Sequence, residues 1–135
     1  MTDWIRVQTA SSCPEDLGPL QLAWLGDAVW ELHQRLRHCQ RPGRSKDLHT
    51  SVVAEVKATA QAESLKGLEQ HLSFMEKDLV RRARNKAGRG PRNVDAAVYA
   101  KATGFETIVG WLFLKDPRRL AWLLDQLEEI DSRLT

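Results

Sequence analysis

The acids best placed to do chemistry in this chain lie beside glycine in two apolar segments. Asp27 follows Gly26 in LAWLGDAVWEL. Glu106 lies close to Gly104 and Gly110 in ATGFETIVGWLFL. Glycine inside a helix costs about 1 kcal/mol relative to alanine, but it lets another helix or a nucleic acid come close. The two segments therefore suggest that Asp27 and Glu106 face each other.

Two further acids are reserve metal ligands. Glu31 follows Asp27 by four residues, so both carboxylates share a helix face, a pairing that suits a hard divalent cation such as Mg²⁺. Asp95 precedes Glu106 by eleven residues, close to three helical turns. For each of these acids the alternative is a carboxylate that faces solvent or pairs with a basic side chain.

The elements that must position these acids all show helical spacing, and we predict an all-α, bundle-like domain of five to seven helices. The histidines at 33, 38 and 71 are expected at the surface or at helix ends, and Trp111 and Trp122 in the core. Helix starts are signalled at Pro19, Ser45, the Ser73–Glu76 capping box, Val94 and Asp116-Pro117, with a helix end or kink at Gly67 and a loop at 85–93.

Composition favours a soluble globular protein. The 135 residues are 42% apolar and 28% charged, and no apolar run approaches the ~20 residues that span a bilayer. The N-terminal residues carry acids and lack the pattern of a targeting segment. Cys13 and Cys39 lack metal-like spacing and are expected to be reduced thiols, which indicates a cytoplasmic protein with no membrane partner.

Positive charge is concentrated in two stretches, although the net charge is only +2. Residues 35–46 contain five Lys or Arg, and residues 81–92 contain six, with no acid in either stretch. Such stretches are typical of a polyanion-binding surface. A solvated basic face is the alternative.

The motifs resemble those of the ribonuclease III family. LAWLGDAV resembles its signature helix, and TGFETIVGWLFL resembles its second acidic helix, of the type FEALIGAIYL. NKAGRGPRN, followed by ATGFE and preceded by DLHTSVVAEVKATAQA, is similar to Mini-ribonuclease III, a subgroup that consists of the catalytic domain alone. The resemblance implies a homodimeric catalytic domain over 17–135, an N-terminal extension over 1–16, and no separate double-stranded-RNA-binding domain.

The resemblance also implies a reaction. Asp27 and Glu106 match the family's catalytic acids and are expected to hold Mg²⁺, which Mn²⁺ can replace. The ion would activate water for phosphodiester hydrolysis that leaves 5′-phosphate and 3′-hydroxyl ends. Two positions depart from the larger relatives, since Ala23 and Thr103 stand where those relatives usually carry further carboxylates.

Double-stranded RNA is the expected substrate, in particular the precursor of large-subunit ribosomal RNA, with a ribosomal protein as a candidate partner that shapes it. The resemblance places the dimer interface at the signature helix, with Trp24, Gly26 and Trp30, and the two tryptophans are expected to be either dimer or core anchors. The expected RNA contacts are Arg84, Asn85, Lys86, Arg89 and Arg92 on a glycine-hinged loop, with Arg44, Lys46 and His49 as a less specific second set.

Two alternatives remain open at this point. The missing carboxylates at Ala23 and Thr103 favour a catalytically inactive ribonuclease-III-like protein that binds RNA or the ribosome. A helical DNA-binding or protein-docking module would explain the basic stretches but not the two acids. Metal dependence distinguishes the enzyme from both alternatives, since only the enzyme cuts RNA and requires Mg²⁺ or Mn²⁺ to do so.

Overall fold

The computed structural model describes residues 1–10, 14–40 and 43–134. Within these ranges the elements are helical and no strand occurs, so the all-α prediction is confirmed. No described helix has the length and apolar character needed to cross a membrane. The helices are α1 (Asp3–Arg6), α2 (Pro19–Cys39), α3 (Ser45–Val56), α4 (Ala58–Leu68), α5 (Phe74–Lys86), α6 (Ala96–Lys115) and α7 (Pro117–Leu134), with 3₁₀ turns at Pro14–Asp16 and Glu69–His71.

Helix α6 is the centre of the domain. Helices α2, α4 and α5 all pack against it, and its buried residues are distributed around most of its circumference. A helix that is apolar on all sides is one that the core surrounds. Glu106, midway along α6, is therefore held on a helix whose position is fixed from several directions.

The tryptophans divide between core and surface. Trp30 is 4% exposed and meets Phe105 edge to face, with ring centroids 4.9 Å apart. Trp111 is partly buried against the core, as predicted. Trp122, also predicted to be a core residue, is instead 40% exposed and lies under the guanidinium of Arg119 at 5.0 Å. That cation–π contact gives the ring a partner at the surface.

The helix predicted from Ser45 to Gly67 is two helices. Lys57 has an extended backbone, with φ −61° and ψ 152°, and separates α3 from α4. Gly67, near which we expected the helix to end or kink, is the penultimate residue of α4, which ends at Leu68. Ser45 is the first residue of α3 rather than its cap, because Arg44 occupies the N-cap and makes no side-chain cap hydrogen bond.

The start of α5 follows the predicted capping box. Ser73 Oγ accepts a hydrogen bond from the Glu76 backbone N–H at 3.2 Å, and Glu76 Oε1 accepts one from the Ser73 N–H at 2.7 Å. Arg119 from α7 donates to both carboxylate oxygens of Glu76. The cap therefore also ties α5 to α7.

The N-terminal residues pack on α2 and α7. Ile5 is fully buried, and Trp4 Nε1 donates to His33 Nδ1 at 3.2 Å. His33 was expected at the surface but is buried, and burial with the nearby charge of Arg37 lowers its pKa to about 4. Cys39 is a free, exposed thiol, whereas Cys13 lies outside the described residues.

Candidate active site

Two glycines bring α2 and α6 into main-chain contact where the helices cross. A Cβ atom added to Gly26 would lie 1.7 Å from the carbonyl oxygen of Glu106. One added to Gly110 would lie 2.1 Å from the carbonyl oxygen of Leu22. Real Cβ atoms essentially never come within 3.0 Å of such neighbours. The crossing therefore requires glycine on both helices, which explains why the chain accepts a glycine inside α2.

The crossing places the carboxyl groups of Asp27 and Glu106 side by side. Asp27 is exposed, whereas Glu106 is partly buried in α6. Burial, a hydrogen bond with Asp27 and the negative charge of Asp27 together raise the pKa of Glu106 to about 8. Two adjacent carboxyl groups in a partly desolvated place cannot both ionise easily. In the metal-free protein the pair therefore retains a proton at neutral pH.

A third side chain reaches this pair from α4. Gln61 is 3% exposed, and its Nε2 donates to Glu106 Oε2 over a long hydrogen bond of 3.4 Å. We did not predict this contact. The available signal was a polar residue on an apolar stripe, because Gln61 lies on the same α4 face as the buried Leu65 and Leu68.

The positions that carry further acids in larger relatives are filled by small buried residues. Ala23 is buried in α2, and Thr103 is buried in α6. The Thr103 hydroxyl donates to the Tyr99 carbonyl oxygen one turn earlier, at 3.0 Å. Neither residue adds a carboxylate to the pair.

The remaining donor set fits a hard divalent cation. Across the described ranges, no three His, Cys, Asp or Glu side chains cluster closely enough to hold a metal ion by themselves. Mg²⁺ commonly uses one or two protein carboxylates and fills its other positions with water and substrate phosphate. A cation between Asp27 and Glu106 would also neutralise the repulsion that raises the pKa of Glu106.

The two reserve ligands are engaged elsewhere. Glu31 pairs with Arg35 at 2.8 Å on the exposed side of α2. Asp95 caps α6, since its carboxylate accepts hydrogen bonds from the N–H groups of Ala97 and Val98. It lies eleven residues before Glu106, which is about 16 Å along a helix. This position does not favour Asp95 as a supplementary ligand of the metal site.

The loop between α5 and α6, residues 87–95, is held in shape by its own contacts. Arg89 Nη1 donates to the carbonyl oxygens of Pro91 and Val94, at 3.3 and 2.9 Å. The guanidinium thus closes the loop on itself. We expected flexible Lys and Arg side chains on a glycine-hinged loop, but the Arg89 side chain is bonded to the loop backbone.

The loop glycines have separate roles. Gly88 and Gly90 have φ of 73° and 74°, a region that glycine enters at little cost. A Cβ on Gly90 would lie 2.4 Å from the ring of Tyr99, whereas none of the surrounding atoms comes within 4 Å of one on Gly88. Gly90 thus permits both the backbone turn and the packing of Tyr99 against it.

The predicted RNA contacts are exposed on the end of α5 and on this loop. The stem of Arg84 packs against α6 at Gly104, because a Cβ there would lie 3.2 Å from Arg84 Cγ. Of the second set, Arg44 pairs with Asp47 at 3.1 Å, while Lys46 and His49 are exposed on α3. The exposed side chains of the first set are Arg84, Asn85, Lys86, Arg89 and Arg92.

One of the three predicted interface residues is available to a partner chain. Trp24 is 81% exposed on α2, next to Leu20, which is 48% exposed. Gly26 is covered by the backbone of Glu106, and Trp30 is buried against Phe105. Trp30 is thus a core residue, the alternative to an interface role that the sequence left open, and Gly26 allows close helix approach within one chain.

Comparison with known proteins identifies this arrangement. Residues 20–117, which include the Asp27–Glu106 pair, match the Ribonuclease III domain family. The chain belongs to the ribonuclease III family. As a member it is an endoribonuclease, and the resemblance inferred from the sequence is confirmed. Ribonuclease III proteins act on double-stranded RNA and generally depend on a divalent metal.

Several proteins similar to this chain are named Mini-ribonuclease 3. The chain is 49% identical to a Mini-ribonuclease 3 of Synechococcus sp. over 113 residues, which cover 84% of this chain and 82% of the relative. It is 48% identical to that of Gloeobacter violaceus over 108 residues, 80% of each chain. A crystal structure of a Fusobacterium nucleatum protein is similar, with a TM-score of 0.68 and 32% identity over 90% of this chain and 92% of the other.

Proposed function

We propose that this ribonuclease III family protein cleaves double-stranded RNA with Mg²⁺ and leaves 5′-phosphate and 3′-hydroxyl ends. The observation that carries the proposal is the Asp27–Glu106 pair, two carboxyl groups that retain a proton without a cation. Mini-ribonuclease 3 relatives over most of the chain support the same activity. Mn²⁺ would serve in place of Mg²⁺, because both accept oxygen ligands.

Each acid has a distinct part in this reaction. Glu106 is fixed by the packing of α6, so it would provide an oriented ligand for the ion and would release its proton in doing so. Asp27 is exposed, so it provides the ligand on the side from which a phosphate can approach. When bound there, the ion supplies an activated water and stabilises charge on the phosphate and leaving oxygen.

The proposed enzyme acts as a homodimer. Leu20, Trp24 and Asp27 follow one another at helical spacing on the exposed side of α2. A two-fold pairing through Trp24 would bury this apolar surface and bring two copies of Asp27 near each other. Two related sites are what is required to cut both strands of one duplex.

The basic loop would hold the RNA. A-form RNA is bound largely through its phosphates and 2′-hydroxyls across a shallow minor groove. Exposed Lys86 at the end of α5, and Arg92 on the loop that Arg89 holds in shape, suit contacts of this kind. Arg44, Lys46 and His49 offer a second set at the start of α3.

The proposed substrate is the precursor of large-subunit ribosomal RNA, with a ribosomal protein that shapes its terminal stem. Support comes from the Mini-ribonuclease 3 type of the relatives and from the exposed basic loop, which suits a duplex without base-specific contacts.

Cleavage of end-labelled RNA tests the proposal. The unchanged protein, Asp27→Asn and Glu106→Gln are incubated with a duplex and with a large-subunit precursor, in Mg²⁺ or in EDTA. Glu31→Gln is the matched control, because it removes an acid from the same face of α2 that is already paired with Arg35. Fragment ends are typed with an exonuclease that requires a 5′-phosphate.

We expect Mg²⁺-dependent cutting by the parent and by Glu31→Gln. Asp27→Asn and Glu106→Gln should each lower the rate of RNA cleavage by more than about 100-fold. That loss exceeds the one typical of residues that only support metal ligands. Intact RNA with the parent, despite tight binding, would favour the inactive RNA-binding protein. Undiminished cutting by Asp27→Asn would show that the wrong acid was chosen.

A further inference from the structure

Gln61 is a buried amide on the apolar side of α4. It is 3% exposed and shares its helix face with Leu65 and Leu68, each 1% exposed. A buried amide is unfavourable unless its polar atoms find hydrogen-bond partners. A leucine or methionine would fill such a position more simply, so the glutamine needs a reason other than packing.

The structure supplies that reason in Glu106. Gln61 Nε2 donates to Glu106 Oε2 at 3.4 Å, across the interface between α4 and α6. The approach depends on the extended residue Lys57, which ends α3 and starts α4 four residues before Gln61. Because α4 starts there, Gln61 lies in its first turn, with its N–H bonded to the Lys57 carbonyl oxygen at 3.0 Å.

We propose that Gln61 is a positioning residue for the candidate metal site, holding Oε2 of Glu106 so that the carboxylate is oriented toward the cation it shares with Asp27. This inference rests on the metal-dependent cleavage proposed above. An amide donor favours the ionised carboxylate without adding a charge. Outer partners of this kind orient metal ligands and tune their affinity.

The need for such a residue follows from the small number of acids. Ala23 and Thr103 contribute no carboxylate beside Glu106, and Thr103 directs its hydroxyl to Tyr99 within α6. With two carboxylates in the site, the orientation of each has more influence on how the cation is held. Gln61 constrains Glu106 from a third helix.

Burial determines which kinetic quantity should respond. Gln61 is inaccessible to RNA, so replacing it should leave the KM for duplex RNA unchanged. A poorly oriented Glu106 should instead weaken binding of the cation and lower kcat. If Gln61 only filled the core, replacing it in a variant that still folds would change neither the binding of the cation nor kcat.

The experiment compares Gln61→Met with Gln34→Met. Methionine keeps the approximate size of glutamine and removes the donor. Gln34 is likewise fully buried, but its Oε1 accepts from Arg37 at 2.9 Å, away from Glu106. Mn²⁺ binding to the RNA-free protein is followed by water proton relaxation, cleavage gives kcat and KM, and urea unfolding reports folding. Gln61→Asn keeps the amide on a side chain one methylene shorter.

We expect Gln61→Met and Gln61→Asn to fold, to bind Mn²⁺ about 10–100-fold more weakly, and to lose kcat to a similar degree at unchanged KM. Gln34→Met should match the parent in folding, in Mn²⁺ affinity and in kcat. Parent-like Mn²⁺ affinity and kcat in both Gln61 variants would overturn the inference, as would equal losses in Gln34→Met. If Gln61→Met does not fold, Gln61→Asn decides. A parent that cuts no RNA would instead refute the proposed function.

Discussion

Gly26 and Gly110 face each other across the crossing of α2 and α6. A Cβ on Gly26 would lie 2.9 Å from the backbone nitrogen of Gly110, and one on Gly110 would lie 3.0 Å from that of Gly26. The separation of the two helices is thus set by main-chain contact rather than by side-chain packing. Asp27 follows one glycine and Glu106 precedes the other by one turn, so the same contact sets the spacing of the candidate ligands.

Replacing Gly26 with alanine should therefore separate the ligands and destabilise the fold. The gain in helix propensity is about 1 kcal/mol, but the Cβ would lie 1.7 Å from a carbonyl oxygen that cannot rotate away. Overpacking of this type costs about 1–3 kcal/mol or more. We expect a net loss of about 2 kcal/mol in the free energy of unfolding, together with loss of RNA cleavage.

Gly67→Ala is the matched control for that change. Gly67 is also helical, but its added Cβ would lie 3.4 Å from Leu127 Cδ2, the end of a movable side chain. We expect this variant to be as stable as the parent or slightly more stable, by up to about 1 kcal/mol in the free energy of unfolding. Urea unfolding measures the difference. Similar losses in both variants would contradict the special role of the crossing.

The stability of the metal-free protein should fall as Glu106 ionises. Its folded-state pKa of about 8 lies above the ordinary value of 4.5, so the folded protein holds this proton more tightly than the unfolded chain does. The resulting stability is fully present below pH about 4.5 and is lost as the pH rises through about 8. Glu106→Gln should lack this loss, and urea unfolding in EDTA at about pH 5 and about pH 9 measures the difference.

Mg²⁺ provides the complementary test of Glu106. Because binding displaces the proton, added Mg²⁺ should stabilise the parent more above pH about 8 than near neutrality. Glu106→Gln should gain much less from the ion. Parallel stability curves for parent and variant across this pH range would mean that Glu106 does not titrate in the folded state.

Trp24 should control the oligomeric state. It is 81% exposed on a face that includes Leu20, and a central interface tryptophan typically contributes about 2 kcal/mol or more to association. Trp24→Ala should therefore weaken a homodimer by at least about 10-fold, as measured by sedimentation over a range of concentrations. Trp122→Ala removes a 40% exposed tryptophan from α7 and should have no effect. A parent that sediments as a monomer would refute the proposed interface.

Alanine at Gly90 should weaken RNA binding more than alanine at Gly88. Both glycines have positive φ, at which alanine costs roughly 1–2 kcal/mol. Only Gly90 would also meet the Tyr99 ring, at 2.4 Å. Duplex binding at one fixed salt concentration, with Ca²⁺ replacing Mg²⁺, measures the effect while limiting cleavage. Equal affinities for the two variants would show that the packing of Tyr99 does not support the RNA-binding loop.

Local residue patterns predict most of the helices, because their start signals are chemical. Pro19, the Ser73–Glu76 capping box and the Asp116-Pro117 pair each stand where a helix begins. The break at Lys57 could not be predicted in this way. No glycine or proline marks it, and the packing of α4 on α6 that follows the break joins residues far apart in the chain.

The candidate site was also predictable in part from local residue types. The glycines beside Asp27 and Glu106 indicated that two helices meet at these acids, and the structure brings them together. Which face of α2 turns inward depends on α6, so the roles of Trp24 and Trp30 could not be separated from sequence. The contact of Gln61 likewise depends on how a third helix is placed.

The first and last helices of the domain share a polar contact. Thr2 Oγ1 donates to Asp125 Oδ1 at 2.8 Å, and Arg6 pairs with the same carboxylate. These partners are more than a hundred positions apart, so the contact closes a loop that includes almost every other element. During synthesis the N-terminal segment emerges from the ribosome long before Asp125 does. The contact that secures the start of the chain can therefore form only after nearly all of the domain has been translated.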